Sequence, residues 1–296
     1  MKSFLSIIFY LFIVVYSCEA KEDIFTQEEN VWMQEHQEIF YGADPSWVPF
    51  DYIDKKGKHQ GVSQDYLNEI SRISGLKFSL YAKKLWSEVM KDIRLKKVDL
   101  LPAVYDSSKR RKYLHYSNSY LKLAEYIFTQ KDVAKIKTYD DVYGKSIAVV
   151  DGYALVSWLK EKHPLIKVVL KKSLFECIQA LSSGEVFGFI GDIPSSLYMQ
   201  EKYFIHNVKA NIIIPDRDPL DLFMAVREDY PLLASIISKS LEQISQERKK
   251  KIFGQYSSAS KEKSLRGAFG FGRPPYMYDR TSGKGIEEAL VRRALL

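Results

Sequence analysis

Short apolar runs alternate with amphipathic stretches along most of this chain, the pattern of strands followed by helices. Residues 24 to 38 predict a helix, with Thr26 as N-cap and Glu29 three positions on to complete a capping box. A strand follows near Ile39 to Ala43. Asp44 to Tyr52 holds two prolines framing aromatics, so it is a loop. After a hairpin-like turn at Lys55-Lys56-Gly57-Lys58, Gly61 to Ser74 carries Val62, Tyr66, Leu67 and Ile70 on one helical face, and Gly75 closes it. A helix over Trp86 to Lys96 and a buried strand over Val98 to Val104 complete one α/β unit.

After Tyr120 the pattern restarts. Strands are expected at Ser146 to Val150, Val168 to Leu170 and Phe187 to Asp192, with helices at Ala154 to Lys162, Leu174 to Ser182 and Ser195 to Lys202. Leu220 to Arg227 is apolar and extended, and Pro231 to Phe253 reads as one long amphipathic helix. Strand and helix alternate in two blocks, so the expectation is an α/β protein of two lobes.

The C-terminal residues repeat an earlier theme. Ser257 to Ser264 is a polar linker. Residues 265–296 then place Pro274, Pro275, Tyr276 and Tyr278 before a turn, a glycine and a helix, as residues 44 to 73 do. This reads as the truncated start of a second module, with a C-terminal tail of the first domain as the alternative.

Export changes the meaning of the charge. Met1-Lys2-Ser3 followed by the apolar run Phe4 to Tyr16 is too short for a comfortable membrane helix and suits a signal peptide over residues 1–20. Cleavage after Ala20 is the first reading; acylation of Cys18 in Val15-Tyr16-Ser17-Cys18 is a second, and an uncleaved anchor a third. The net charge of +7 would invite nucleic acid in a cytoplasmic protein, but export removes that appeal. The basic runs Lys109 to Lys112 and Arg248 to Lys251 are read as solvated ends of amphipathic helices. Cleavage leaves Cys177 alone, on an apolar helix face, with no disulfide and no cysteine metal site.

The candidate chemistry lies where the strand over Val98 to Val104 ends. Ser107 stands three positions before Arg110, and a strand-to-helix junction would gather a hydroxyl, free N–H groups and a guanidinium around one point. Such a point suits a carboxylate. Catalytic patterns are thin. His36, His59, His115, His163 and His206 show no metal-ligand spacing, and there is no nucleophile elbow or phosphate loop. No cofactor is expected, and the chain reads as a binder rather than an enzyme.

Ser107, Arg110, Tyr116 and Ser117 fit the spacing of a known signature, and on them the chain resembles family 3 extracellular solute-binding proteins. Asp44 to Tyr52 is similar to that family's Pro-Pro-Phe loop, Gly61 with Asp65 to its Gly-x-x-x-Asp helix, and Asp99-Leu100-Leu101 to its Asp-Leu-Leu strand. Glu28 and Trp32, with Gly152-Tyr153, resemble its sensor branch, whose tandem domains serve histidine kinases or diguanylate cyclases. The resemblance covers roughly residues 28 to 256. It implies a two-lobed periplasmic-binding-protein type II fold, with lobe 1 over about 39–120 and 220–256 and lobe 2 over about 123–215. A hinge would lie in the crossings near 118–126 and 214–226.

The resemblance also implies roles. Ser107 and Arg110 would grip a carboxylate, aided by the backbone N–H of Gly152, and Asp192 would take an α-amino group. Trp47, Phe50 and Trp86 would line the cleft, with the lobe core as their alternative. Tyr153 departs from the usual Thr, Tyr105 stands where a Gly is common, and Asp106 adds acid beside the anion site; the ligand need not be a standard α-amino acid. The expected function is periplasmic binding of an amino acid or organic acid as sensor input or transport receptor. Its partners would be a sensor kinase, a cyclase or an inner-membrane permease, with no nucleic acid. A dehydratase-like enzyme and an interaction domain without a ligand are the alternatives.

Overall fold

A computed structural model describes residues 24–258, with side chains to 256. The expected signal peptide, Cys18, the part of the expected linker beyond residue 258 and the expected start of a second module all lie outside the described residues.

The first helix, α1 (Gln27–Glu35), has the expected capping box: Thr26 Oγ1 accepts the Glu29 N–H, and Glu29 returns the bond to the Thr26 N–H. Then follow β1 (Glu38–Tyr41), β2 (Ser46–Trp47), β3 (Asp51–Ile53), β4 (His59–Gln60), α2 (Val62–Ser74), β5 (Lys77–Leu80), α3 (Trp86–Arg94) and β6 (Leu100–Tyr105). Gly75 ends α2 in the left-handed region at φ 79°, as a C-terminal glycine should. Next come β7 (Leu114–Tyr116), β8 (Leu121–Leu123), β9 (Tyr126–Gln130), β10 (Ser146–Val150), α4 (Ala154–Lys162), β11 (Lys167–Lys171), α5 (Leu174–Ser182) and β12 (Gly188–Gly191). The chain closes with α6 (Ile193–Lys202), β13 (Val208–Ile213), β14 (Leu220–Arg227), α7 (Pro231–Gln243) and α8 (Gln246–Ser258).

Two larger sheets organise these elements. The first runs β5-β1-β6-β14-β7, with β8 also paired to β14; β5, β1 and β6 are parallel, and β14 is antiparallel to its neighbours. The second runs β11-β10-β12-β9-β13, parallel through β12 and antiparallel beyond it. A small sheet, β2-β3-β4, sits on the first lobe. The two-lobed α/β expectation therefore holds. The chain leaves the first sheet after β8, crosses at Ala124 and Glu125 into β9, and returns over residues 214–219 between β13 and β14.

Four expectations are corrected. The helix expected over Pro231 to Phe253 breaks at Ile244, which is extended, and Ser245 starts α8 by accepting the Arg248 N–H on its hydroxyl. The helix expected at Ser107 and Arg110 is a single 3-10 turn, Arg110–Lys112, so no helix N-terminus faces an anion there. The basic run Lys109 to Lys112 thus lies on that turn instead of a helix end. Strands β2, β3, β4, β7, β8, β9 and β13 were not anticipated: Asp44 to Tyr52, expected as loop, carries β2 and the start of β3, and β9 is an internal strand whose Tyr126-Ile127-Phe128 run is buried on both faces and shows no alternation to betray it.

Among the described residues, no helix is long and apolar enough to cross a membrane. Cys177 is buried in the core of the second lobe, as a small hydrophobe, and burial pushes its thiol up to about 12.

Candidate functional site

The two lobes meet through side chains that sequence reasoning had reserved for a ligand. From lobe 1, the guanidinium of Arg110 donates to its own lobe at Tyr105 O (2.8 Å) and across the cleft to Gly152 O (2.8 Å). Trp86 Nε1 donates to the same Gly152 carbonyl at 3.2 Å. Trp47, on β2, donates from Nε1 to Asp192 Oδ2 in lobe 2 at 2.8 Å. In the opposite direction, the Tyr153 hydroxyl donates to Asp44 Oδ2 at 2.9 Å.

Local structure explains each placement. Asp192 ends β12 and caps α6, its Oδ1 accepting the Ser195 N–H at 2.8 Å, so only its other oxygen points at lobe 1. Gly152 holds φ at 84°, and a Cβ there would lie 3.1 Å from Trp86 Cδ1 and 3.2 Å from Ser87 Cα. A glycine is therefore needed both for the turn after β10 and for the approach of α3. Asp44 follows β1, and its Oδ1 accepts the Ser46 N–H and hydroxyl.

Little room remains. One cavity of about 20 Å³ is lined by Asp44, Trp47, Trp86, Tyr105, Arg110 and Tyr153 among others. A second, about 10 Å³, is lined by Trp47, Tyr105, Glu125, Tyr153 and Asp192 with their neighbours. Trp47, Tyr105 and Tyr153 are common to both. The larger is of the order of one water, which needs roughly 10–15 Å³, and neither admits an amino acid. Arg110 and Asp192 are thus set on opposite sides of an aromatic partition.

Burial decides the electrostatics. It lowers the Arg110 pKa from its ordinary value, although the guanidinium stays charged. Among the described residues, no carboxylate bonds or pairs with it. Asp44 is pushed up to about 7, mainly by burial, with the Asp51 charge adding to it and bonds from Ser46 and Tyr153 opposing. Burial also raises Asp192, against the bonds from Ser195 and Trp47. Glu125 is raised by burial despite Arg217, to which it is paired at 2.5 Å.

Of the nine residues singled out from sequence, Trp47, Trp86, Tyr105, Arg110, Tyr153 and Asp192 line the two cavities, and Gly152 adjoins them through its carbonyl. Two do not fit. Phe50 is fully buried in the lobe 1 core, 5.4 Å from Trp47 between ring centres, because the small sheet turns it inward. Ser107 accepts the Arg110 N–H at 3.3 Å and faces an open groove of about 1070 Å³ beside the turn, not the buried cleft. Gly152 offers a carbonyl where an N–H was expected.

Asp44 and Glu125 were missed as site residues. Both had a legible signal: Asp44 is a carboxylate at the end of an apolar stretch, as Asp192 is, and Glu125 is a lone carboxylate inside the run Leu123 to Phe128.

Comparison with known proteins gives a consistent picture. The sequence profile of the bacterial extracellular solute-binding proteins, family 3, matches residues 39–259. Virulence sensor protein BvgS of Bordetella pertussis is 22% identical over 240 residues, covering 81% of this chain and 19% of that protein. Amino-acid-binding protein AabA of Dichelobacter nodosus is 26% identical over 203 residues, covering 68% of this chain and 79% of that one. The crystal structure of the B. pertussis BvgS periplasmic VFT2 domain superposes with a TM-score of 0.69 at 22% identity, covering 78% of this chain and 98% of that one. The chain thus spans about a fifth of the sensor it matches.

Proposed function

Because the chain belongs to the family 3 bacterial extracellular solute-binding proteins, we propose that its two lobes close around a small carboxylate, an amino acid or an organic acid. One observation carries this reading. Arg110 buries a charged guanidinium at the lobe boundary with only backbone carbonyls as acceptors. A buried charge without a counter-ion is costly, whereas a carboxylate would satisfy the fork through two parallel bonds. Asp192 and Asp44 supply acceptors for a cationic group on the same ligand.

The closed arrangement defines what binding requires. Trp47 must leave Asp192, and the aromatic partition must part, so that the two small cavities merge. The hinge for this motion is the pair of crossings at residues 124–125 and 214–219. We take residues 28–256 as one binding domain, with lobe 1 over about 39–120 and 220–256 and lobe 2 over about 123–215.

The same reading places the mature chain in the periplasm, exported by residues 1–20, with lipidation of Cys18 as a variant. In a sensor, the domain would supply the input to a kinase or cyclase; in a transporter, it would serve a membrane permease. The sensor role is preferred, since a sensor protein is matched over 81% of the chain. We expect binding without turnover.

A thermal-shift screen of amino acids and organic acids tests this. A ligand at about 100 times its Kd adds roughly 2.7 kcal/mol of stability. At least one carboxylate should raise the melting temperature, and Arg110→Ala should abolish that rise. A second reading, an interaction domain with no ligand, is favoured by the cavity of about 20 Å³. It would prevail if no compound gave a shift.

A further inference from the structure

Two exposed features, one on each lobe, have no part in the cleft. The first ends α6. Ile205 N–H donates to Gln200 O at 2.8 Å and Phe204 N–H to Glu201 O at 3.3 Å, the two bonds of a Schellman motif. Phe204 is its left-handed residue, at φ 55°. The same motif closes α5 with Gly184 at φ 80° and α3 with Lys96 at φ 58°. Glycine suits that conformation and lysine suits water; phenylalanine has neither advantage. Its ring is nonetheless 80% exposed. The neighbouring Tyr203 is 43% exposed and stacks on Phe175 at 4.0 Å, and Lys202 Nζ lies 5.4 Å from the Tyr203 ring centre. Backbone strain and a hydrated ring are both borne at one position, with little burial inside the lobe to offset them.

The second feature is an open groove of about 700 Å³ along α1, on lobe 1, whose apolar lining is Val31, Trp32 and Leu232. Val31 is 47% exposed. Trp32 is fixed by stacking on His36 at 4.2 Å and by Tyr230 edge-on at 5.3 Å, which gives the groove an aromatic wall. Glu28 and Glu35, three residues before Val31 and four after it, share its face of the helix and line the same groove. Neither pairs with a cation among the described residues.

An apolar trough between two carboxylates matches an aromatic ring beside a lysine. Within one chain the two do not meet, since Phe204 and Val31 both stay exposed. We propose that the α1 groove receives the Phe204 knob of a second copy of this chain, with Lys202 set between Glu28 and Glu35. The contact is heterologous, so each copy in a pair keeps one free knob or groove and association runs head to tail. One ring in one groove is small against a standard interface, so the assembly is transient and concentration-dependent. No ligand enters the argument, which stands or falls separately from the binding function.

Sedimentation velocity of the full chain from about 10 μM to about 1 mM reads the association. The average sedimentation coefficient should rise with concentration, and a chain that stays monomeric throughout would overturn the proposal. Were those monomers to pellet with phosphatidylglycerol vesicles, the knob would serve a membrane and the proposal would equally fail. Phe204→Gly should weaken association about tenfold or more, as loss of a central aromatic anchor does. It should not lower the melting temperature, because glycine fits the left-handed turn. A variant that associates like the wild type would refute the role of the ring. Charge reversal tests the choice of groove. Lys202→Glu in one chain, and Glu28→Lys with Glu35→Lys in another, should each abolish self-association, while an equimolar mixture of the two should associate again, since knob and groove then carry opposite charges at every contact. A mixture no more associated than its components would place the Phe204 knob elsewhere and overturn the assignment.

Discussion

Trp47 in lobe 1 donates its indole N–H to Asp192 in lobe 2 at 2.8 Å, at the oxygen that the proposed function assigns to a ligand's cationic group. The closed form is thus held by a side chain acting as internal occupant. Trp47→Phe keeps an aromatic ring, though a smaller one, and deletes the donor, leaving a buried carboxylate oxygen without its partner. Such a loss costs about 1–3 kcal/mol, here charged to the closed form. Small-angle scattering should show a larger radius of gyration for the variant, and an unchanged value would mean that the bond does not hold the lobes together.

Arg110 and Lys109 are adjacent in sequence and opposite in environment, the first buried and the second exposed. Removing one member of a buried charge contact costs roughly 2–5 kcal/mol, against little for a rim charge. Arg110→Ala should therefore abolish binding of whichever carboxylate the thermal-shift screen finds, while Lys109→Ala should leave its Kd nearly unchanged. Equal losses, measured by calorimetry, would point to a diffuse basic surface.

Asp44 predicts a pH dependence. Its carboxyl is pushed up to about 7 in the fold, against an ordinary value of 3.8. The folded state therefore holds a proton that the unfolded state releases at lower pH, and the stability this gives is complete below about pH 4. It is lost as pH rises to about 7 and is level above that, amounting to at most on the order of 4 kcal/mol. Melting curves of the wild type and Asp44→Asn should differ in slope across this window, with the variant flatter. Parallel curves would show that Asp44 is ionised throughout.

The two crossing segments are tied by Glu125 and Arg217, both nearly buried, at 2.5 Å. Arg217→Ala leaves an uncompensated carboxylate and should cost about 3–5 kcal/mol in chemical denaturation. Burial already raises the Glu125 pKa, and losing Arg217 raises it further. The deficit should accordingly be smaller at about pH 5 than at about pH 8, because protonation relieves the orphaned charge. A pH-independent deficit would mean the pair acts through packing.

Gly152→Ala tests the close approach of the lobes. The added methyl meets Trp86 and Ser87 at 3.1 and 3.2 Å, in a backbone conformation that disfavours any side chain. The variant should be more open by scattering and less protected from proteolysis at the cleft. A fully closed Gly152→Ala would show that α3 yields instead.

Local rules were enough for much of this molecule. The capping box at Thr26 and Glu29, the left-handed glycine at Gly75 and the amphipathic face of α2 are each set within a few residues, so the sequence displays them directly. The charged poles Arg110 and Asp192 were legible for a related reason: a charge at the end of an apolar strand has few places to go except a strand-end cleft. The partners of those poles were not legible. Trp47 and Asp192 are 145 residues apart, Tyr153 and Asp44 109 apart, and Glu125 and Arg217 92 apart. No local spacing encodes such pairs. The same holds for Phe50 and Ser107, whose residue types suit a pocket but whose orientation is fixed by the small sheet and by a 3-10 turn. The sequence by itself determined most of the helices, the parallel strands of the two lobes and the charged poles Arg110 and Asp192. Only the tertiary structure decided that the cleft is closed on its own side chains, because closure depends on hydrogen bonds between lobes that meet only after each has folded.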